Sequence, residues 1–206
     1  MKEEITDKCL REFLKKGIRK MTLKEIVAPL GISTKTVYKF FNSKEELLED
    51  CLTLHYGRLA AGLTQIIAAQ NNPVLSLAQI WIEAIRADFG TNHQFYHDLN
   101  YYYPTLQDKI IKKNRQSLAK PMLQMMQSGI EQGYFRDTLE PRVVLEAISV
   151  LYGSLTRTDQ FKKYKLNPFV IGANTVEVYL RGLCTVKGLK HWDAHPSLTS
   201  FSEQKN

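Results

Sequence analysis

Five of the seven side chains between Ser33 and Lys39 are short hydroxyls or long ammonium groups: Ser33, Thr34, Lys35, Thr36 and Lys39. None stands beside a base that would make it a nucleophile. Their common chemistry is hydrogen bonding to an edge or a charge. A Ser or Thr hydroxyl serves many partners, a Thr methyl can meet a thymine methyl, and a Lys can reach O6 or N7 of guanine. Tyr38 adds a phenol that can donate to a phosphate. The charge around this stretch agrees. Residues 8–44 hold ten basic residues against Glu12 and Glu25, whereas residues 45–206 come to about +1 in a chain of net charge +7. A phosphate backbone is the natural partner of such a footprint. A solvated basic face would look the same by charge alone.

Other candidates for chemistry are thinner. His93 and His97 stand four apart with Asp98 beside them, and His191 and His195 repeat the spacing. Imidazoles so spaced share a helix face and could hold a metal, but a polar surface is the plainer reading, and no metal or cofactor is expected. No Gly-rich phosphate loop and no acid–base pair suggests an enzyme. Cys9, Cys51 and Cys184 are far apart, odd in number and without CxxC spacing. That pattern fits buried thiols in a reducing cytoplasm. No run of 18 apolar residues suggests a membrane span, and no apolar segment near the start suggests a signal peptide.

These residues need helices to hold them. Ile5, Cys9, Leu10, Phe13 and Leu14 follow a 3.6-residue period up to Gly17. Thr22 with Glu25 is a capping box that opens a second helix over 23–28, stopped by Pro29 and Gly31. Ser33 caps a third over 33–40, and Ser43 with Glu46 opens a long fourth from Lys44 to about Gln70. Further helices are expected over 73–89, 93–101, 104–132, 141–161 and 168–187, with a frayed tail from 188. The expectation is all-α, about nine helices: a three-helix head and a larger body. Two short helices joined by a turn at 29–32 make a helix-turn-helix, whose second helix is the reader. Lys44, at a helix start where free N–H groups gather, and Thr22, at another, are natural phosphate clamps.

The stretch Phe13 to Gly17, then Met21, Thr22, Leu23, Ile26, Val27, Leu30, Gly31, Ile32, Ser33, Val37, Tyr38, Lys39, Phe40, Phe41 and 43–47, resembles the TetR family of bacterial regulators. The match covers residues about 5 to 50. The resemblance implies a DNA-binding head and a variable body for ligand and dimer. It implies DNA-facing positions at Thr22, Ser33, Thr34, Lys35, Thr36, Tyr38, Lys39 and Lys44. Lys35 stands where the family often has a small residue. Cys9 and Val27 stand where alanine is usual, and Pro29 where a helix former is common. Pro29 should shorten the second helix.

Residues 1–46 are therefore expected to bind DNA, 47–190 to bind ligand and dimerise, and 191–206 to form a flexible tail. Aromatic residues and methionines suit an adaptable small-molecule pocket, and the resemblance places one in the body. Its candidates are Trp81, Phe89, Tyr96, Tyr102, Tyr103, Met122, Met125, Met126 and Tyr152, although an ordinary core would use the same types. Ile148, Leu151, Leu155, Val176, Tyr179, Leu180 and Leu183 form two stripes suited to a four-helix dimer interface, or to packing within one chain. The expected protein is a cytoplasmic, homodimeric, ligand-responsive repressor on a near-palindromic operator, with a small-molecule effector still to be identified. An activator or ligand-independent regulator stays open, as does an all-α enzyme with an accessory head.

Overall fold

A computed structural model describes residues 1–69, 72–156, 158 and 160–194. The described residues are helical throughout, apart from turns and one isolated antiparallel bridge between Phe135 and Cys184. The helices are α1 (Lys2–Lys16), α2 (Leu23–Val27), α3 (Thr34–Val37), α4 (Lys44–Ala69), α5 (Pro73–Phe89), α6 (His93–Tyr102), α7 (Pro104–Glu131), α8 (Pro141–Thr156), α9 (Pro168–Gly172), α10 (Val178–Leu183) and α11 (Val186–Asp193). A π-helical turn, Ala173–Glu177, joins α9 to α10, so the expected helix over 168–187 is one run that ends at Leu183.

Two compact units emerge, and they do not follow chain order. The first holds residues 1–61 and 89–116; the second holds 62–88 and the chain from 117. The first is built on one face of α1, where Ile5, Cys9, Leu10 and Phe13 recur at helical spacing and are all buried. Ile26, Val27, Val37 and Phe41 close over that face, with Leu47, Leu48, Cys51 and Leu52 of α4. Phe95 and Leu99 of α6 and Ile110 of α7 complete the same core. α6 is therefore part of the unit that carries the helix-turn-helix.

The second unit packs Val74, Leu77, Trp81 and Ile85 of α5 against Met125 and Met126 of α7. Val144 and Ile148 of α8, and Val176, Leu180 and Leu183 from the α9–α10 run, fill the rest. Ile148, Val176 and Leu180 are fully buried within the chain and Leu183 is 3% exposed. Those four expected dimer residues are spent on the unit's own core and present nothing to a partner. Leu151, Leu155 and Tyr179 are partly buried against it.

The tail also differs from expectation. Residues 186–193 form α11, capped by the Thr185 hydroxyl, because Trp192 finds a buried seat (2% exposed) and Arg181 lies over its indole. Gly188 lets α11 approach: a Cβ there would lie 2.3 Å from the Tyr134 carbonyl oxygen. Residues 195–206 of the expected tail lie outside the described residues.

Two sets of titratable groups, the half-buried His55 and the buried cysteines, give tests of the fold. His55 lies against Tyr56 and Phe95 and shares a hydrogen bond with Tyr96. Burial, with the Arg58 charge second, pushes its imidazole down to about 4. An unfolded imidazole protonates near pH 6.5, so the unfolded chain binds the extra proton first on acidification. The stability tied to neutral His55 is complete above pH 6.5 and is lost as pH falls toward 4. Wild type should lose urea resistance between pH 7 and pH 5, and His55→Gln should lose much less. Equal losses would contradict the assignment. The cysteines are the second group. Burial pushes the Cys9 and Cys184 thiols up to about 11 and holds the Cys51 thiol well above its ordinary value. Thiolates are the reactive form, so iodoacetamide at pH 8 should label none of the three in the folded chain and all three in urea, by mass spectrometry.

Candidate nucleic-acid interface

The local sequence explains how the reader segment is presented. Thr22 has extended backbone, and its hydroxyl accepts from the Glu25 N–H at 3.3 Å. The Glu25 carboxylate accepts in turn from the Thr22 N–H at 2.7 Å and the Thr22 hydroxyl at 2.8 Å. These bonds hold the Glu25 carboxyl below its ordinary range. The Thr22 hydroxyl thus serves the start of α2, and only what remains of its hydrogen-bonding capacity is open to a phosphate. α2 ends at Val27 and passes into a single 3₁₀ turn, Ala28–Leu30, containing Pro29. That is the shortening expected of Pro29. Gly31 follows at φ 67°, ψ 20°, a left-handed conformation that glycine adopts without strain.

α3 is shorter than the expected 33–40. It spans Thr34–Val37, and the chain then tightens as the Lys39 and Phe40 N–H groups bond three residues back to Thr36 and Val37. Val37 and Phe41 are drawn into the core, which pins the inner side. The Ser33 Oγ caps α3 by accepting from the Thr36 N–H at 3.2 Å and lies 3.0 Å from the Thr36 hydroxyl. Thr34 and Thr36 are half-buried, and Lys35, Tyr38 and Lys39 are exposed, Tyr38 at 57%.

Lys44 is placed differently from expectation. Its ammonium donates to the Ile18 carbonyl at 2.6 Å and also to the Met21 carbonyl, and burial lowers its pKa. Two of its three protons hold the turn after α1, leaving one for an outside acceptor. The rest of the basic stretch divides in two. Lys8, Arg11 and Lys16 pair with Glu4, Asp7 and Glu12 one turn back on α1. Lys15, Lys20, Lys24, Lys35 and Lys39 make no ion pair among the described residues. The uncompensated charge therefore clusters on the segment that carries α2 and α3.

The expected pocket residues fall into both units. Phe89, Tyr96, Tyr102 and Tyr103 belong to the first, where Arg19 stacks on Tyr102 at 4.0 Å. Trp81, Met122, Met125, Met126 and Tyr152 belong to the second. There the Trp81 and Tyr152 rings lie 5.2 Å apart, and the Tyr152 hydroxyl donates to the Asp88 carboxylate. The Trp81 indole N–H is buried with no hydrogen-bond partner among the described residues. A shallow open groove of the second unit lies elsewhere, along Leu123, Gln127 and Arg142.

The histidine pairs form no metal cluster among the described residues. His97 lies 3.7 Å from an Asp98 carboxylate that is already engaged by backbone. His191 shares a hydrogen bond with Asn72 and packs edge-on to Tyr134. The His93 side chain and His195 lie outside the described residues. Asp98 is the residue that sequence reasoning undervalued. Its signal was available: it shares a helix face with Phe95 and Leu99, an acid on an apolar stripe.

Residues 5–51 match the family model of bacterial regulatory proteins, tetR family. The transcriptional repressor KstR2 of Mycobacterium tuberculosis is 24% identical over 148 residues, covering 70% of this chain and 74% of the relative. Two solved structures share the fold. A transcriptional regulator from Cytophaga hutchinsonii aligns with TM-score 0.68 at 15% identity, over 89% of this chain and 98% of that one. FadR of Bacillus subtilis, solved in complex with stearoyl-CoA, aligns with TM-score 0.66 at 16% identity, over 90% and 98%. With its capped helix-turn-helix and unpaired lysines on the segment carrying α3, the head over residues 5–51 is similar to that of the tetR family of bacterial regulatory proteins.

Proposed function

We propose that this protein is a cytoplasmic homodimeric repressor that reads a near-palindromic duplex with α3 and its flanks, and leaves it when a small effector binds the second unit. The observation that carries the DNA reading is the exposed, uncompensated trio of Lys35, Tyr38 and Lys39 on a segment whose other face is pinned by Val37 and Phe41. Thr34, Lys35 and Thr36 reach base edges; Tyr38, Lys39 and the last proton of Lys44 meet phosphates.

The dimer face lies on the outer sides of α8 and α10. Val143 and Val150, seven residues apart, and Val178 are each more than 60% exposed. Gly153 and Gly182 on the same helices have open space at the Cβ position. Small and apolar positions of this kind let paired helices approach across a two-fold axis. Two readers so related would meet successive major grooves about 34 Å apart.

The effector reading is supported by the unpaired Trp81 N–H beside Tyr152 and three methionines. A buried donor without an acceptor is costly, and a ligand oxygen would relieve it. FadR of B. subtilis carries stearoyl-CoA, so long apolar thioesters are the first class to screen. No helix among the described residues is long and apolar enough to cross a membrane. The test is fluorescence anisotropy with duplexes from the DNA flanking the gene, at low salt and with excess competitor. A tight, sequence-dependent complex is expected; binding that competitor abolishes would overturn the reading.

A further inference from the structure

The turn between α1 and α2, residues 17–21, makes little secondary structure of its own, yet its backbone polar groups are engaged from outside. Asp98 of α6 is 1% exposed. Its Oδ2 accepts from the N–H groups of Ile18 and Arg19, both at 2.8 Å. Its Oδ1 accepts from the Gln94 amide at 2.7 Å. On the other side, Lys44 of α4 takes the carbonyls of Ile18 and Met21. Asn92, the N-cap of α6, donates to the Lys15 carbonyl, and the Arg19 guanidinium lies on Tyr102 near the end of α6. Gly17 has φ 84°, and a Cβ there would lie 2.7 Å from Gln94 and 3.1 Å from the Asp98 carboxylate. The turn is therefore pressed directly onto α6.

A buried carboxylate held by backbone amides, with His97 3.7 Å away, is a poor way to add stability; an apolar side chain would fill the space at less cost. What a carboxylate with two accepting oxygens adds is direction. Thr22, the cap of α2, follows the turn immediately, and α3 follows α2 through one 3₁₀ turn. We propose that Asp98 is a positioning residue for DNA reading: by fixing the Ile18 and Arg19 amides it sets where α2 begins, and so how α3 is presented. Helix α6 then belongs to the reading apparatus. The inference rests on the regulator reading above.

The test compares a selected duplex with a scrambled one. The duplex is recovered by wild type from a random pool. Affinities for it and for the scramble are then measured at one salt concentration with wild type, Asp98→Ala, Asp98→Asn and Asp98→Glu. Non-specific binding depends on charge and not on reader placement. Loss of folded protein lowers both affinities by the same factor, whereas misplacement lowers only the specific one. Asp98→Ala leaves the buried Ile18 N–H and the part-buried Arg19 N–H without their acceptor and should cost roughly tenfold in the specific-to-scrambled ratio. Asp98→Asn keeps one accepting oxygen and should restore most of it. Asp98→Glu keeps the charge but pushes the turn by one methylene, so it should lower the ratio even if Asp98→Ala fails to fold. Hydrogen exchange in the DNA-free protein should speed up at Ile18 and Arg19 in Asp98→Glu. Unchanged ratios in Asp98→Ala and Asp98→Glu, or equal loss on both duplexes, overturn the role of Asp98. A wild type that enriches no duplex overturns the regulator reading, and this one with it.

Discussion

Phe13→Ala should cost the first unit about 3–5 kcal/mol, the range for truncating a fully buried aromatic. The Phe13 side chain is fully buried and lies in the cluster shared by α1, α2, α4 and α6. A domain is stable by only about 5–15 kcal/mol in all, so this one change approaches the whole margin. Its consequence should be uneven. The second unit has its own core around Trp81, Met126 and Ile148, and nothing in that core depends on Phe13. Urea unfolding followed by circular dichroism should show an early transition in Phe13→Ala that is absent in wild type, with DNA binding lost in that early step. A single transition at the wild-type midpoint would refute the placement of Phe13.

The second large effect concerns the reader itself. Lys35 and Lys39 are exposed and without ion pairs among the described residues, so replacing them with Ala removes charge and leaves no cavity. Thermal stability should stay within about 0.5 kcal/mol of wild type, as for ordinary surface changes. Binding should not. Losing a base contact costs about 1–3 kcal/mol, and losing a phosphate contact reduces the slope of log affinity against log salt by about 0.9. Lys39→Ala should therefore flatten the salt dependence. Lys35→Ala should relax base preference more than it changes the slope. The double variant should bind the operator about fortyfold more weakly, or worse, near 0.1 M salt if the two contacts act independently. Titrations at three salt concentrations on selected and scrambled duplexes separate the two roles. An unchanged slope in Lys39→Ala would remove that residue from the phosphate set.

Much of this architecture is legible in the sequence because helix starts carry their own signals. Thr22 with Glu25 forms the capping box its spacing promises. At the start of α4 the Ser43 hydroxyl does accept from Glu46, but the Glu46 carboxylate reaches back to Asn42 instead of Ser43. A cap pattern therefore fixes where a helix begins better than which donor it satisfies. Apolar periodicity is more ambiguous. It places Ile148 on one apolar stripe and Val176 and Leu180 on a second, but a period of 3.6 cannot tell whether the cover comes from the same chain or from another. The exposed Val143, Val150 and Val178 lie on other faces of the same helical runs and break the simple stripe. Trp192 was passed over because one large side chain in a polar segment has no period at all. The bonds that Asp98 and Lys44 make within the chain are illegible in the sequence for a shared reason. The backbone groups they satisfy lie 80 and 26 residues away, and no local pattern announces a partner at that distance.

The caps on α2 and α3 also restrict which sequences the head can use. At Ser33 the fold alone would accept Asp, Asn, Ser or Thr, since each offers an oxygen to the free N–H groups of the first turn, whereas at Thr22 an Asp would also face the Glu25 carboxylate to which the hydroxyl now donates. These two hydroxyls sit on the face proposed to meet a polyanion, and there an aspartate would repel what the lysines attract. The two demands together leave only the uncharged caps. In a saturation library, selection for folding should keep Asp at Ser33, while selection for operator binding should remove it and retain Asn, Ser and Thr. The difference between those two tolerance profiles, read position by position, would trace the outline of the DNA on the protein without a structure of the complex.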